Sequence, residues 1–357
     1  MEPLSTTGVQ HLLSKLGSRK FALPELNPQA WLTRLRERLA KRSPQGMAAL
    51  YATAEGVGLV HLVPGEAGRS RVAVGVFKEV GKGESPGRVA QGLIKAHQLG
   101  KTPFVGVLDR GAYVLLPAEA PDVPREEWAA TMKWRIKDQI TFPVTQAVLE
   151  VFDMPGTGSS DADSGRIYVA AAKENEVRRH LQLFHDAGVD PIALDIQELA
   201  LLNFTRTLED VAEGVALLHL EAKSGQVMMI KSGRFYLARR IESGLESLMA
   251  SLDADGSGVD RAPYMDRVAL EVQRTMDYFE SHFSQAPASS LYIAPFPQVI
   301  EGVRQALAQR LGMRVRYLPL SESLEMPEGW SEVALARALP AIGAAMGACR
   351  HRSDDES

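Results

Sequence analysis

The chain has 357 residues, 45% of them hydrophobic, and a formal net charge of −4 at pH 7. This size and apolar content allow a sizeable core and suggest two domains, or one with an inserted lobe. A single cysteine, Cys349, excludes an intramolecular disulfide, and without a Cys/His cluster no metal site is expected. The acidic balance weighs against general nucleic-acid binding. The sequence has no leader pattern and no window of about 18 apolar residues, which indicates a cytoplasmic protein.

Residues 1–45 form a basic appendage with eight Lys/Arg and three Glu. Within it, "NPQAWLTRLRERLAKR" predicts an amphipathic helix that begins after Asn27 and Pro28. We expect it to pack on protein, with peripheral contact to an anionic membrane as the alternative. The residues assigned to this membrane or partner helix are Trp31, Arg34, Arg38, Lys41 and Arg42.

Strand and turn signals dominate the next stretch. "GMAALYATAEGVGLVHLVPG" and "SRVAVGVFKEV" predict strands, and "SPGRVAQGLIKAHQLG" predicts a helix capped by Ser85 and ended by Gly100. More strands are predicted in "PFVGVLDRGAYVLLPA", giving a mixed sheet with a helix on it.

A different pattern begins after "EAPDVPREEW". A helix is predicted over 125–140, then strands in "AVLEVFDM" and "RIYVAAA" on either side of an acidic, glycine-rich loop. A helix ending near Gly188 and the extended "DPIALDIQ" follow. This segment is predicted to be a compact inserted lobe.

The sheet pattern returns at Val215, where "VALLHLEA" and "QVMMIKSGRFYLARR" predict a two-stranded hairpin. "PYMDRVALEVQRTMDYFESHF" has the apolar spacing of a long amphipathic helix. A strand, a helix, a strand in "RVRYLPL" and a closing Gly/Ala-rich helix complete a second half similar to the first.

Five strings occur in the order "MKWRIKDQITFPVTQAVLEVFD", "LDIQELALLNF", "RRIESGLESL", "LEVQRTMDYFESHF" and "LPAIGAAMGACR". Together they resemble the PilM family, and the resemblance spans roughly 46–350. It implies an α/β, actin-like (FtsA/PilM-type) fold of two halves with an inserted strand-helix-strand lobe. The predicted parts are the appendage 1–45, a first subdomain 46–123, the lobe 124–196, a second half 197–349 with a helical subdomain around 245–285, and a disordered tail 350–357.

The resemblance also places two phosphate-binding hairpins, whose family pattern is Asp-x-Gly at the strand end. This chain has Tyr51-Ala52-Thr53 and His219-Leu220-Glu221 there, and Pro295-Phe296 where the family has a Gly-Gly turn. Without the close backbone approach that glycine permits, a triphosphate is disfavoured. We expect a degenerate nucleotide site and no cofactor, with an ATP/Mg²⁺-binding ATPase as the alternative. Remnants of the site are Thr53, Glu55, Glu221, Ser224, Gly225, Glu271 and Arg274.

The family resemblance, which extends to the MSHA pilus protein MshI and the cytoplasmic part of GspL, implies a scaffold that docks the tail of a membrane protein. The departures from the nucleotide pattern favour the MshI-like branch. The expected partners are a PilN-like bitopic protein and other platform or motor components, at the inner face of the inner membrane. The docking residues are predicted as Trp134, Ile136, Ile140, Phe142 and Pro143, with burial in the lobe core as the alternative for each.

Overall fold

The computed structural model describes residues 46–155, 165–251, 261–328, 330 and 332–355. The appendage, including Trp31, Arg34, Arg38, Lys41 and Arg42, lies outside the described residues. The described chain forms two compact units, the first made of 46–154, 165–200 and 338–355, and the second largely of 201–337. No described helix combines the length and apolar character needed to cross a membrane.

Strands and helices are numbered in chain order. The strands are β1 (Met47–Ala52), β2 (Gly56–Pro64), β3 (Ser70–Glu79), β4 (Phe104–Leu108), β5 (Tyr113–Glu119), β6 (Ala147–Asp153), β7 (Arg166–Lys173), β8 (Pro191–Ile196), β9 (Val215–Leu220), β10 (Gly225–Lys231), β11 (Arg234–Ile241), β12 (Ser290–Ile293), β13 (Arg314–Tyr317) and β14 (Leu324–Glu325). The α-helices are α1 (Pro86–Ala96), α2 (Trp128–Arg135), α3 (Glu174–Ala187), α4 (Gln197–Thr205), α5 (Leu245–Ala250), α6 (Ala262–Phe283), α7 (Val303–Leu311), α8 (Leu320–Ser323), α9 (Glu332–Leu335) and α10 (Leu339–Asp355).

The first unit is built on a mixed sheet in the order β3-β2-β1-β4-β8. Strands β1 to β3 are antiparallel, whereas β1, β4 and β8 run parallel, as expected when helices connect them. Apolar runs such as "MAALY" and "FVGVL" are buried, which is typical of strands covered on both faces. Helix α1 begins after Ser85 as predicted, but it ends at Ala96 with His97 as its cap, so Gly100 does not end it.

The lobe of the first unit is an antiparallel sheet in the order β5-β7-β6, with α2 packed against β6. Its strand pairing differs from the boundaries predicted for the lobe. Strand β5, predicted in the first subdomain, pairs with β7, while β8, predicted in the lobe, pairs with β4. Pairing between strands far apart in the sequence leaves no local signal, which is why the sequence assigned β5 and β8 to the wrong sheets.

Helix α2 is also shorter than the predicted 125–140. A 3-10 turn occupies Arg125–Glu127, and the α-helix ends at Arg135. Pro143 disfavours helical geometry at the residue before it, and the chain crosses the lobe core through Ile136 and Ile140. At the other end of the chain, α10 continues to Asp355, so the prediction of a disordered tail from residue 350 was wrong.

The second unit repeats the sheet topology of the first. Its order is β11-β10-β9-β12-β13, with β9 to β11 antiparallel and β9, β12 and β13 parallel. The segment "QVMMIKSGRFYLARR" is therefore two strands, not one. Ser232 and Gly233 have φ angles of 52° and 70°, which form the type of tight turn that suits the twist of a hairpin.

A buried polar cluster ties the loop before β9 to β12. The Asp210 carboxylate accepts hydrogen bonds from Ser290 Oγ at 2.5 Å and from the Tyr292 hydroxyl at 2.7 Å. Burial by itself would raise the pKa of Asp210, but these two bonds and the nearby Arg316 outweigh it and lower the pKa. Burial and the hydrogen bond to Asp210 raise the pKa of Tyr292 to about 12. The cluster is thus held in its Asp-ionised, Tyr-protonated form at neutral pH.

Candidate functional site

The first hairpin uses its polar groups within its own turn. The Thr53 N–H donates to Gly56 O at 2.9 Å, and Thr53 Oγ1 accepts from the Glu55 N–H at 3.2 Å. A Cβ at Gly56 would lie 2.4 Å from Lys78 O, so this glycine serves the packing of β2 on β3. Two of the amides at the hairpin tip are therefore committed to the turn itself.

The carboxyl ends of β1, β4 and β8 meet at one edge of the first sheet, where open α/β sheets bind ligands. Tyr51, which stands at the predicted position of a metal-holding Asp, is only 2% exposed. Gln197 Nε2 donates to the Tyr51 hydroxyl oxygen at 2.6 Å, and the Gln197 N–H donates to the Tyr113 oxygen at 3.2 Å. Side chains of the chain itself thus fill this edge.

The same network holds a buried charge. The Tyr113 hydroxyl donates to Glu198, which is 2% exposed and lies 3.4 Å from Arg110. Burial and the Glu198 charge raise the pKa of Tyr113 well above its usual value. The pKa of the neighbouring Asp195 is raised to about 7, first by burial and further by Glu198, against a hydrogen bond from the Ile196 N–H. Perturbed carboxyl groups often mark functional sites, but ion-pair networks that stabilise a fold perturb them too.

Of this network, the sequence analysis named Tyr51, and Asp195, Gln197 and Glu198 lie in one string of the family resemblance. It missed Arg110 and Tyr113. Tyr51 and Gln197 are 146 positions apart, so only the fold shows that they touch. A cavity of about 30 Å³ lies beside the network, lined by Leu108, Tyr113 and apolar residues of the lobe. Ligand pockets typically measure about 300–1,000 Å³, so this cavity has room for about two waters and not for a nucleotide.

The second hairpin is covered by its own chain. The Glu221 N–H donates to Ser224 O, which closes the turn, and the carbonyls of Glu221 and Ala222 accept from the N–H groups of Leu245 and Glu246, both at 2.8 Å. A Cβ on Gly244 would lie 2.4 Å from Ala222 O and 2.5 Å from the Ser224 nitrogen. The backbone before α5 therefore occupies the close-approach position over the turn, which is where a hairpin of this kind would need to receive a phosphate.

The remaining predicted remnants of a nucleotide site also have structural partners. Gly225 is buried, and a Cβ there would lie 2.5 Å from Leu220 Cδ2. Arg274 Nη1 and Glu271 Oε1 form an ion pair at 2.8 Å on α6. Phe296, at the predicted adenine side, is 4% exposed and makes an edge contact with Tyr317. Thr53 and Glu55 belong to the first unit, whereas Glu221, Ser224, Gly225, Glu271 and Arg274 belong to the second.

The five predicted docking residues divide by burial. Ile136 is 0% and Ile140 9% exposed, and both belong to the lobe core with Met132, so the prediction that they contact a partner was wrong. Phe142 is half-buried against the same core, and Pro143 is exposed. Trp134 is 62% exposed. The reachable part of the predicted surface is therefore Trp134, Phe142 and Pro143.

The known proteins that the chain resembles are found by structure and not by sequence. No family model matches the chain, and no curated protein matches it. Among solved structures, it is similar to a PilM-PilN type IV pilus biogenesis complex at 19% identity, over 87% of this chain and 99% of that chain, with a TM-score of 0.69. Another is the cytoplasmic domain of EpsL, an inner membrane component of the type II secretion system of Vibrio cholerae, at 12% identity over 82% and 93% of the two chains, with a TM-score of 0.46.

The repeated sheet topology and the first of these similarities define the class: the chain is an α/β protein with the actin-like fold, as the sequence predicted. More particularly, it shares that fold with the PilM-PilN pilus biogenesis complex along nearly all of the matched chain. At 19% identity the similarity establishes the fold, and the argument for function depends on the residues.

Proposed function

We propose that this protein is a non-enzymatic cytoplasmic adaptor of a type IV pilus assembly platform, at the inner face of the inner membrane. In this proposal it docks the cytoplasmic tail of a PilN-like bitopic inner-membrane protein and connects it to other platform or motor components. We prefer the MSHA pilus as the system, because the departures of this sequence from the family's nucleotide-binding pattern favour the MshI-like branch. The observation that supports the proposal most is the shared fold with a PilM-PilN complex, over 99% of that chain.

The docking site we propose is the β6 edge of the lobe. Strand β6 is at one end of the order β5-β7-β6, and an extended peptide can add to such an edge by main-chain hydrogen bonds. Phe142 and Pro143 precede this strand and present apolar surface beside it. The buried Ile136 and Ile140 support this face from the lobe core.

A tail-binding measurement tests the site. Calorimetry or fluorescence anisotropy would measure the affinity of the full chain for a synthetic peptide with the cytoplasmic tail sequence of the PilN-like protein from the same organism. Phe142→Ala should weaken binding by about 1–3 kcal/mol, as for a truncated apolar anchor. Gln146→Ala, at an exposed polar position on the same approach to β6, is the matched control and should leave affinity unchanged. Full affinity in a folded Phe142→Ala protein would contradict this site.

The non-enzymatic part of the proposal follows from the two hairpins. The backbone that covers the second turn would have to move before a phosphate could approach it. We expect no ATP affinity tighter than about millimolar, equivalent to about −4 kcal/mol, with or without Mg²⁺. Glu221→Ala should leave tail binding intact. A micromolar dissociation constant by calorimetry would instead favour an ATP-binding, actin-like ATPase.

A further inference from the structure

Trp134, in the last turn of α2, is a large apolar side chain exposed on the surface of the lobe. Trp134 is 62% exposed, while its neighbours Met132 and Ile136 are 2% and 0% exposed in the lobe core. The two buried side chains fix the segment to the lobe and hold the indole outward. Exposure of a single apolar residue needs no explanation, but a rigidly presented tryptophan with a particular charge setting does.

That setting is basic and unpaired. Lys133, Arg135 and Lys137 surround Trp134 in the string "KWRIK", and the nearest acids in the sequence are Asp138, directly after the string, and Glu127, before Trp128. Within the described residues none of the three cations forms an ion pair, whereas Arg125, on the preceding turn, forms a bidentate pair with Asp153. Cations near the C-terminus of a helix interact favourably with its dipole, which accounts for the positive charge of these residues. The dipole does not account for an exposed indole among them.

The geometry of this surface fits a plane better than a peptide. A peptide anchor needs a concave groove, whereas Trp134 projects from the outer side of a helix whose inner side is packed on β6. At a bilayer the indole lies at the level of the headgroups, and lysine and arginine side chains reach the lipid phosphates. We propose that the segment Lys133–Lys137 is a peripheral contact with an anionic membrane surface.

This contact goes beyond the proposed adaptor function and is compatible with it. Phe142, in the proposed docking face, follows Trp134 closely in the sequence of the same lobe. A tail that emerges from the bilayer would meet that face close to the membrane if the lobe rests on the lipid surface through Trp134. The lipid contact would then raise the local concentration of the two partners by restricting them to one plane.

Vesicle partitioning of the full chain tests the contact. Co-sedimentation would be measured with phosphatidylcholine vesicles and with vesicles in which about 30% of the lipid is anionic phosphatidylglycerol. We expect partitioning only onto the anionic vesicles, and its loss at about 0.5 M salt, where charges are screened within about 4 Å. Trp134→Ser should lower the partition coefficient about tenfold, and each of Lys133→Gln, Arg135→Gln and Lys137→Gln about fivefold.

Matched controls come from the second unit, where Leu270 is 48% exposed and Arg314, on β13, is also exposed. Leu270→Ser and Arg314→Gln should leave partitioning unchanged. Unchanged partitioning of both Trp134→Ser and a variant that combines Lys133→Gln, Arg135→Gln and Lys137→Gln would overturn the proposal. So would a loss of tail-peptide binding in Trp134→Ser without a loss on vesicles, because the surface would then belong to the peptide. Lost vesicle binding with normal tail binding supports the membrane contact and leaves the docking proposal to its own test.

Discussion

Substitution of Gly244 by alanine tests whether the second hairpin is closed by its own chain. The new methyl group would lie 2.4 Å from Ala222 O and 2.4 Å from the Lys223 carbonyl carbon, about 1 Å inside ordinary contact, and both are backbone atoms. Overpacking of this kind costs about 1–3 kcal/mol. The shift also strains two hydrogen bonds, each worth about 1 kcal/mol. The Leu245 N–H donates one to Glu221 O, and the Tyr264 hydroxyl donates the other to Gly244 O. We therefore expect Gly244→Ala to lower the free energy of unfolding by about 2–4 kcal/mol.

Urea denaturation, followed by circular dichroism, measures this loss. The matched control is Gly92→Ala on α1, where a Cβ would meet no atom within 4 Å. Alanine is favoured over glycine inside a helix, so this variant should gain about 0.5–1 kcal/mol. The φ of Gly244 is −106°, which any residue adopts, so backbone strain cannot produce the predicted loss. A Gly244→Ala protein as stable as wild type would show that the hairpin and the backbone before α5 are not in close contact.

Three further variants are expected to change stability. Asp210→Ala removes the acceptor of the Ser290 and Tyr292 hydroxyls, so it should lower the free energy of unfolding at pH 7 by about 3–5 kcal/mol in urea denaturation. Because the folded pKa of Asp210 is lowered, its ionised carboxylate stabilises the wild-type fold above pH 3.8. That stabilisation is lost as pH falls through the folded pKa. The folded pKa of Asp195 is raised to about 7, so wild-type stability falls as pH rises from 3.8 to 7. Asp195→Asn should therefore be more stable than wild type above pH 7, by up to about 4 kcal/mol, and as stable as wild type below about pH 4. Equal stability of the two proteins at about pH 8 would contradict this. Ile136→Ala should lower the unfolding free energy by about 2–5 kcal/mol, as expected for a core residue, while a folded sample keeps its affinity for the tail peptide.

Local pattern was sufficient for much of the fold. The three- and four-residue apolar spacing of Met265, Val268 and Val272 predicted α6, whose bounds agree with the structure. The order of strands and helices, together with the family resemblance, predicted the actin-like fold. The pattern failed at Ser232-Gly233, where a two-residue turn interrupts a run with strong strand propensity. A tight turn with a serine in place of asparagine or aspartate has a weaker signal than the strands on either side.

The candidate site could be predicted only in part, because its contacts join distant parts of the sequence. Departures from Asp-x-Gly were visible at Tyr51 and His219, but the partner of Tyr51 lies 146 positions away. Burial separated Ile136 from Trp134, although both are apolar residues of one short segment. Periodicity cannot make this distinction at the end of a short helix, where the α-helical spacing stops and the chain direction changes. The cations around Trp134 are visible in the sequence, since Lys133, Arg135 and Lys137 all lie within three residues of it.

The state of the second hairpin bears on what this fold can do in the absence of a nucleotide. A phosphate-binding turn keeps backbone N–H groups available for its ligand, and it leaves them to water when the ligand departs. Here Gly244 lies over the turn, and the carbonyls of Glu221 and Ala222 cap the first amides of α5. These bonds stabilise the hairpin by about 0.5–1.5 kcal/mol each, and any phosphate must displace the backbone that makes them. The same cost is subtracted from the affinity of a nucleotide, because the competent conformation would have to be populated first. We therefore expect the hairpin to keep this closed conformation without ATP, as the proposed scaffold role requires.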